Sequence, residues 1–255
     1  MSSAQAGPPV TGFADVLARV QGVEGWMTDA QARSLWDAAR EVRDGGLIVE
    51  IGSFRGRSTI VLASAASAGV EVVAIDPHGG GDRGPQEITP DAVRGHEDFA
   101  AFNANLQSAG VHGRVRHVRL PSESALDEVS GAIDLLYVDG AHRYRPARAD
   151  IERWGARVSP SGALLIHDSF NAIGVMLAQL RLLVFSRAWR YLGRAGSLAV
   201  YRREPLDAAG MTGNAARQLA GLAYFARNMA VKVALVAHLR PVARLLGHGD
   251  EPWPY

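Results

Sequence analysis

Short apolar runs alternate with segments of helical length between residues 47 and 203. The runs predict strands at 47–52, 71–76, 114–120, 133–138, 162–167 and 196–202, and the intervening segments predict helices at 56–68, 97–109, 123–130, 144–156 and 171–184. Residues 189–192 form a further apolar run and predict a terminal hairpin with an antiparallel edge strand. Strands that alternate with helices are typical of a parallel sheet covered on both faces.

The pattern therefore predicts an α/β fold. We expect a doubly wound, Rossmann-like, mostly parallel seven-stranded sheet with helices on both faces, N-terminal helices and a C-terminal helical tail. Its domains are an N-terminal helical cap at 1–44, a core at 45–203 and a helical extension at 204–255. The cap contains two helices, and Thr28 to Gln31 has the pattern of a capping box at the start of the second.

The tail has apolar residues at helical spacing, at Leu219, Leu222, Phe225, Met229 and Val233. Arg227 and Lys232 interrupt this run, so we predict no integral membrane span. Packing on the domain or on a second copy of the chain, which gives a homo-oligomer, is favoured over a role at a membrane surface.

Composition narrows the classes of function. The net charge of +1 over 255 residues gives no reason to expect nucleic acid as a partner. The absence of cysteine excludes disulfides, thiolate metal sites and a cysteine nucleophile. Residues 1–10 show neither the basic nor the apolar region of an export signal, so we expect a cytoplasmic protein.

The segment from Glu50 to Gly56 is the most informative part of the chain. An apolar strand runs into an acid, and two glycines follow in the turn before the next helix, as in sites for nucleoside-bearing cofactors. The second strand ends at Asp76, at the spacing of a carboxylate that holds ribose hydroxyls. The residues that follow, 79–95, form a glycine-rich loop, which is either a lid or a mobile surface loop.

Polar residues also follow the later strands, and parallel strands bring them to one crevice. Ser122 and Glu123 contact an adenine edge or cap a helix. Asp139 and Asp168 share a divalent cation such as Mg²⁺, or are separate solvated carboxylates. His142 is a general base, because imidazole titrates near neutrality, or a surface histidine. His167 is a metal neighbour, a substrate contact or a buried side chain.

Four segments together resemble class I S-adenosylmethionine (SAM)-dependent methyltransferases. They begin at Glu50, Ala74, Leu136 and Gly162 and include the Val-Asp-Gly-x-His and His-Asp-Ser motifs. The resemblance covers about residues 45–203 and is strongest to the small bacterial branch of methyltransferase domain 24 type, including sugar O-methyltransferases of mycobacterial methylmannose polysaccharide synthesis.

The resemblance implies SAM as cofactor and Mg²⁺ as metal. The cofactor-binding residues would be Glu50, Gly52, Ser53, Ser58, Asp76, Ser122 and Asp139. The metal-binding residues would be Asp139, Asp168 and His167, although relatives often have an acid where this chain has His167.

The sequence thus predicts a SAM-dependent O-methyltransferase with His142 as its catalytic residue. The acceptor would be a small molecule or oligosaccharide, with a hydroxyl of a sugar or of a natural product as the target. The alternatives are a nucleotide-dependent oxidoreductase and a non-catalytic binding module. The turn lacks G-x-G-x-x-G spacing and Lys232 is the single lysine, which disfavours the oxidoreductase.

Overall fold

A computed structural model describes residues 12–81 and 89–249, and within these ranges a single seven-stranded sheet forms the centre of the fold. The strand order is β3-β2-β1-β4-β5-β7-β6. The first five strands along the chain are parallel, and β7 pairs antiparallel with both β5 and β6. The predicted fold class, including the terminal hairpin, is confirmed. The strands are β1 Leu47–Ile51, β2 Glu71–Ile75, β3 Val115–Val118, β4 Ile133–Val138, β5 Val158–Ile166, β6 Trp189–Ala195 and β7 Leu198–Arg203.

Helices flank the sheet and continue past it into the tail. They are α1 Phe13–Val20, α2 Asp29–Arg40, α3 Arg57–Ala65, α4 Ala92–Ser108, α5 Tyr144–Gly155, α6 Ile173–Leu182, α7 Ala208–Ala220, α8 Leu222–Val236 and α9 Arg240–Leu245, with a short 3₁₀ turn at His112–Arg114.

The two faces of the sheet bury separate hydrophobic cores, because successive residues of a strand point to opposite sides. In β1, Ile48 belongs to the core under α1 to α4, whereas Val49 and Ile51 belong to the core under α5 and α6. Both faces are apolar, and the strands therefore appear in the sequence as nearly continuous hydrophobic runs.

The N-terminal helices pack mainly against α3 as part of the first core, to which Val16, Val20 and Leu35 contribute fully buried side chains. The capping box at the start of α2 is confirmed: Gln31 N donates to Thr28 Oγ1, and Thr28 N donates to Gln31 Oε1 at 2.7 Å. These bonds fix the end of the loop that joins α1 to α2, and this loop reaches the functional site.

The helix predicted at 123–130 is wrong, because residues 122–128 form successive turns instead. Side chains from α5 and the residues after it take the carbonyls that a helix would use. Trp154 Nε1 donates to Ser122 O, and Arg157 donates to Leu126 O and Val129 O. Tertiary contacts therefore replace the local hydrogen bonds that would form the helix.

Two predicted boundaries also shift. The helix predicted from residue 97 begins at Ala92, because the Asp91 side chain accepts from Val93 N and Arg94 N and caps it. The C-terminal part of the predicted 79–95 loop is thus helical, and residues 82–88 of that loop lie outside the described residues. Strand β5 begins at Val158, four residues before the predicted start.

In the tail, the described residues include one helical stretch, Ala208–Val236, that is long and apolar enough to cross a membrane. Buried amides attach this stretch to the domain. Asn214 Oδ1 accepts from Tyr191 N at 2.6 Å, Gln218 Oε1 accepts from Tyr201 OH at 3.0 Å, and Asn228 Nδ2 donates to Phe170 O at 3.0 Å. These bonds show that α7 and α8 pack on the domain, which was the use favoured from sequence.

Candidate active site

The polar residues predicted to converge do so because the hydrogen-bond ladder continues one residue beyond four strands. Gly52 N donates to Ile75 O at 2.9 Å and Asp139 N donates to Ile51 O at 2.8 Å. His167 N donates to Val138 O at 2.9 Å, and Asp76 N donates to Val118 O at 3.2 Å. Each residue after a strand is thereby fixed beside its neighbour on the same edge of the sheet.

A cavity of about 730 Å³ opens at this edge, within the size range of small-molecule sites. Of the residues predicted to act in the site, Gly52, Ser53, Ser58, Asp76, Ser122, Asp139, His142 and His167 line it, and Glu50 and Asp168 do not. The structure therefore brings most of the predicted set around one space.

The turn after β1 is suited to close approach by a ligand. Gly52 has φ +86°, and an added Cβ would lie 2.2 Å from Asp139 O, so any side chain there would collide with the residue after β4. Next to it, Ser53 Oγ is buried without a hydrogen-bond partner although Ser53 lines the cavity. An orphaned buried hydroxyl calls for a polar ligand atom, so this turn fits a polar cofactor.

The Asp76 carboxylate is held in place by the backbone. Phe54 N donates to Oδ2 at 2.8 Å and His78 N donates to Oδ1 at 2.7 Å. Each oxygen keeps further acceptor capacity, and Asp76 faces the cavity. This arrangement fits the predicted role as a ribose ligand.

Glu50 is placed differently from its prediction. Its side chain is fully buried, away from the cavity lining, and Thr59 Oγ1 donates to Oε2 at 2.5 Å while Ser58 Oγ donates to Oε1. Burial raises its pKa to about 8, further raised by the charges of Asp139 and Asp76 and opposed by both hydroxyls. Glu50 therefore supports Ser58, which lines the cavity, and has no direct contact with the ligand space.

Ser122 lines the cavity, but not as a helix cap. Its Oγ donates to Asp150 Oδ1 at 2.5 Å. Burial raises the pKa of Asp150 to about 6, and the Ser122 bond opposes this rise. Asp150 also lines the cavity, and was missed because it lies in the middle of α5 at a spacing that matches no motif.

The residues after β4 and β5 form two histidine–aspartate pairs. His142 Nε2 lies 3.0 Å from Asp168 Oδ2, and His167 Nδ1 lies 3.0 Å from Asp139 Oδ1. The pairs are linked, since His167 Nδ1 is 3.7 Å from Asp168 Oδ1. Tyr137 OH donates to Asp139 Oδ2 at 2.8 Å, and Asn171 Nδ2 donates to Asp168 Oδ1 at 2.9 Å.

Charge in this network shifts the pKa of its members. Burial alone would raise the pKa of Asp168, but the charge of His167 and the bond from His142 hold it well below its usual range. Burial opposes the charged form of His142, yet the hydrogen bond and charge of Asp168 raise its pKa above 6.5. Asp168 therefore makes His142 a stronger base and fixes its ring.

The predicted Mg²⁺ site does not fit these residues. Within residues 12–81 and 89–249, no group of three or more histidine, aspartate or glutamate side chains is arranged to hold a metal ion. Asp139 and Asp168 each have both oxygens within 3.0 Å of a protein nitrogen or hydroxyl, and the His167 imidazole lies beside both carboxylates. The prediction of Asp139, Asp168 and His167 as metal ligands is therefore not supported, because histidine contacts replace cation contacts.

The tail supports the turn that carries Asp168. Asp168 and Phe170 have φ of +52° and +58°, values that L-residues rarely adopt. Asn228 Nδ2 donates to Phe170 O at 3.0 Å and Lys232 Nζ donates to Asn171 O at 2.8 Å, both from α8. The tail thus stabilises a strained turn of the site, which no local pattern in the sequence indicated.

The loop between α1 and α2 forms one wall of the cavity and was also missed. Glu24 to Met27 line the space, and the Trp26 ring stacks on Phe54 with centroids 5.4 Å apart. Arg57 Nη1 donates to Gly25 O at 2.8 Å and ties the loop to α3. The sequence feature that could have indicated this wall is Trp26, which lies just before Thr28, the N-cap of α2.

Comparison with known proteins places this site in context. Residues 49–169 match a family model described as a methyltransferase domain. This range contains every residue predicted to act in the site. A protein of Sinorhizobium fredii called "Uncharacterized protein y4gI" is 30% identical over 129 residues, which are 48% of this chain and 13% of that protein. The chain therefore spans about an eighth of the length of that relative.

Solved structures share the fold. An O-methyltransferase of Klebsiella pneumoniae, described as putative, has a TM-score of 0.55 at 18% identity over 77% of this chain and 91% of its own. The TomG O-methyltransferase of tomaymycin synthesis in Streptomyces achromogenes, solved with SAM, has a TM-score of 0.52 at 18% identity over 75% and 87%. The chain therefore contains a segment that matches a methyltransferase domain, and it shares its fold with these O-methyltransferases.

The buried Glu50 predicts a pH dependence of stability. Its folded-state pKa of about 8 exceeds the ordinary value of 4.5, so the folded protein holds a proton that the unfolded chain releases. The stabilisation of the fold by the protonated Glu50 side chain is fully present below pH 4.5 and is lost as the pH rises to about 8. We expect Glu50→Gln to lose less thermal stability than wild type over this range in calorimetry. Parallel curves for the two proteins would refute the assignment.

Because Asp139 and Asp168 already contact protein groups, we expect a chelator to leave the rate of methyl transfer unchanged. The expected result is equal turnover with EDTA and with added Mg²⁺, and no binding of Mn²⁺ by calorimetry. His167→Asp, which places a second acid beside Asp168, should gain measurable Mn²⁺ binding. Loss of wild-type turnover in EDTA, restored by Mg²⁺, would show that a metal is needed.

Proposed function

We propose that this protein is an O-methyltransferase in which His142 removes the proton from an acceptor hydroxyl. The observation that carries the proposal is the 3.0 Å contact between His142 Nε2 and the buried Asp168, at the wall of the cavity that Gly52 and Asp76 also line. A histidine oriented by a carboxylate is the usual arrangement of a general base.

Residues after different strands have different roles in this proposal. The Gly52–Ser53 turn and Asp76 bind and orient the cofactor, and the remaining space beside His142 receives the acceptor. When bound, SAM supplies a methyl group on a sulfonium. With SAM bound, His142 would accept the hydroxyl proton while the acceptor oxygen took the methyl carbon and the carbon–sulfur bond broke, so that a methyl ether and S-adenosylhomocysteine would result. Alignment of the reacting atoms provides most of the acceleration.

Asp168 acts through His142. Because Nε2 of the imidazole faces Asp168, we assign the role of proton acceptor to the other ring nitrogen, Nδ1. Asp168 also stabilises the imidazolium that forms during the reaction. We regard it as a positioning residue, with Asn171 and the α8 side chains keeping its carboxylate in place.

Part of the cavity wall suits a polyhydroxylated small molecule or oligosaccharide. Trp26 is 40% exposed and offers an aromatic face on the cavity wall. Arg143 and Arg145, both exposed, line the same space and provide hydrogen-bond donors. An aromatic face with polar groups beside it matches a sugar ring, which combines apolar C–H faces and hydroxyls. We therefore propose a sugar or a sugar-bearing natural product as acceptor.

His142→Ala is expected to lower kcat by about 10²- to 10⁴-fold, because general-base assistance is lost. The melting shift given by S-adenosylhomocysteine should persist, and NAD should give none.

Asp168→Asn should lower kcat and move the rising limb of the pH–rate profile to lower pH, since the aspartate charge raises the pKa of His142. Asp37→Asn, an exposed carboxylate on α2, is the matched control.

Two results would reject this assignment. Full turnover of His142→Ala would show that His142 is not the base. Loss of S-adenosylhomocysteine binding in that variant, with normal turnover per bound enzyme, would show that His142 binds the cofactor instead. A melting shift with NAD alone would favour the oxidoreductase.

Trp26→Ala is expected to raise the KM for the best glycoside acceptor about two- to tenfold, the range for loss of one aromatic contact. The affinity for S-adenosylhomocysteine should stay at the wild-type value, and Trp26→Phe should recover most of the loss. Initial rates over a panel of glycosides and phenols measure this. An unchanged KM in Trp26→Ala would place the acceptor elsewhere in the cavity.

A further inference from the structure

The end of the tail is a small helical hairpin with its own core. Val231, Ala234 and Ala243 are buried between α8 and α9, with Leu235 and Leu246 packed against them. Leu239 N donates to Ala234 O at 2.7 Å and closes the turn between the helices. Residues 231–246, called the tail tip below, are therefore folded and not an extended end.

The tail tip exposes much of its apolar surface. Within 13 residues, five aliphatic side chains are between 44% and 87% exposed, and they recur every third residue. They are Val233, Val236, Leu239, Val242 and Leu245. A concentration of exposed aliphatic side chains in so short a segment is unusual on a protein surface and marks an interaction site.

The charged side chains of residues 208–249 are all basic. Between Asp207 and Asp250 the chain contains no acidic residue, but it contains Arg217, Arg227, Lys232, Arg240 and Arg244. Arg240 and Arg244 are exposed on α9, next to the exposed aliphatic residues in sequence. Asp250 and Glu251 follow outside the described residues. The tail tip thus combines aliphatic and cationic groups, as in helices that lie in the interface of an anionic membrane.

We propose that the tail tip docks on an anionic lipid surface, with its aliphatic side chains among the headgroups and Arg240 against the lipid phosphates. A second copy of the chain is a poorer occupant, because a two-fold contact would bring the same basic surfaces together. A membrane span is disfavoured by the buried amides Asn214, Gln218 and Asn228, which attach α7 and α8 to the domain. The proposal does not depend on methyl transfer.

The test is sedimentation of the full chain with vesicles. We expect binding to phosphatidylcholine vesicles that contain about one third phosphatidylglycerol, weaker binding at high salt, and little binding to phosphatidylcholine alone. Arg240→Glu reverses one charge, and should weaken binding about tenfold at low salt. This variant also places an acid at the start of α9, which is favourable for the helix.

Val236→Asp with Leu245→Asp should abolish vesicle binding while the melting temperature is kept, because both side chains are mostly exposed. Phe185→Asp, which changes an exposed apolar residue outside the tail, should bind vesicles like wild type. No binding to anionic vesicles, or equal binding by the double variant, would overturn the proposal. A dimer in light scattering that the double variant loses, without vesicle binding, would assign the surface to self-association.

Discussion

The site depends on one constraint, the close approach of the chain after β4 to the turn after β1. Asp139 N donates to Ile51 O at 2.8 Å, and the Gly52 Cα lies so near Asp139 that a Cβ would be 2.2 Å from its carbonyl oxygen. This contact places the cofactor turn beside the strand that carries Asp139, Gly140 and His142. The parallel ladder then brings His167 and Asp168 to the same edge, so backbone hydrogen bonds position the residues that we propose to bind the methyl donor and to act as the base.

Two histidine–aspartate pairs stand where a metal was expected. A carboxylate pair on adjacent strand ends needs positive charge nearby, and His142 and His167 lie 3.0 Å from Asp168 and Asp139 respectively. The same arrangement gives His142 a partner that strengthens it as a base. The α8 helix supports this network through Asn228 and Lys232. The tail therefore stabilises the site in addition to forming part of the protein surface.

Most of the fold could be predicted from the sequence because the strands are buried on both faces and therefore appear as uninterrupted apolar runs. The capping box at Thr28 was equally readable, since its partners lie within four residues. The segment 123–130 was misread because its carbonyls bond to Trp154 and Arg157, some 30 residues later. Helical composition alone does not show that distant donors take those carbonyls.

The sequence by itself determined which residues follow the strands, and therefore that Gly52, Asp76, Asp139 and His142 meet at one edge. Only the tertiary structure decided what those residues do to one another. It turned Glu50 away from the cavity and paired His142 with Asp168. It also brought Trp26, Asp150 and Asn228 into or behind the site. The reason is physical: strand positions and strand ends follow from the local hydrophobic pattern, whereas hydrogen-bond partners and burial depend on contacts between residues far apart in the chain.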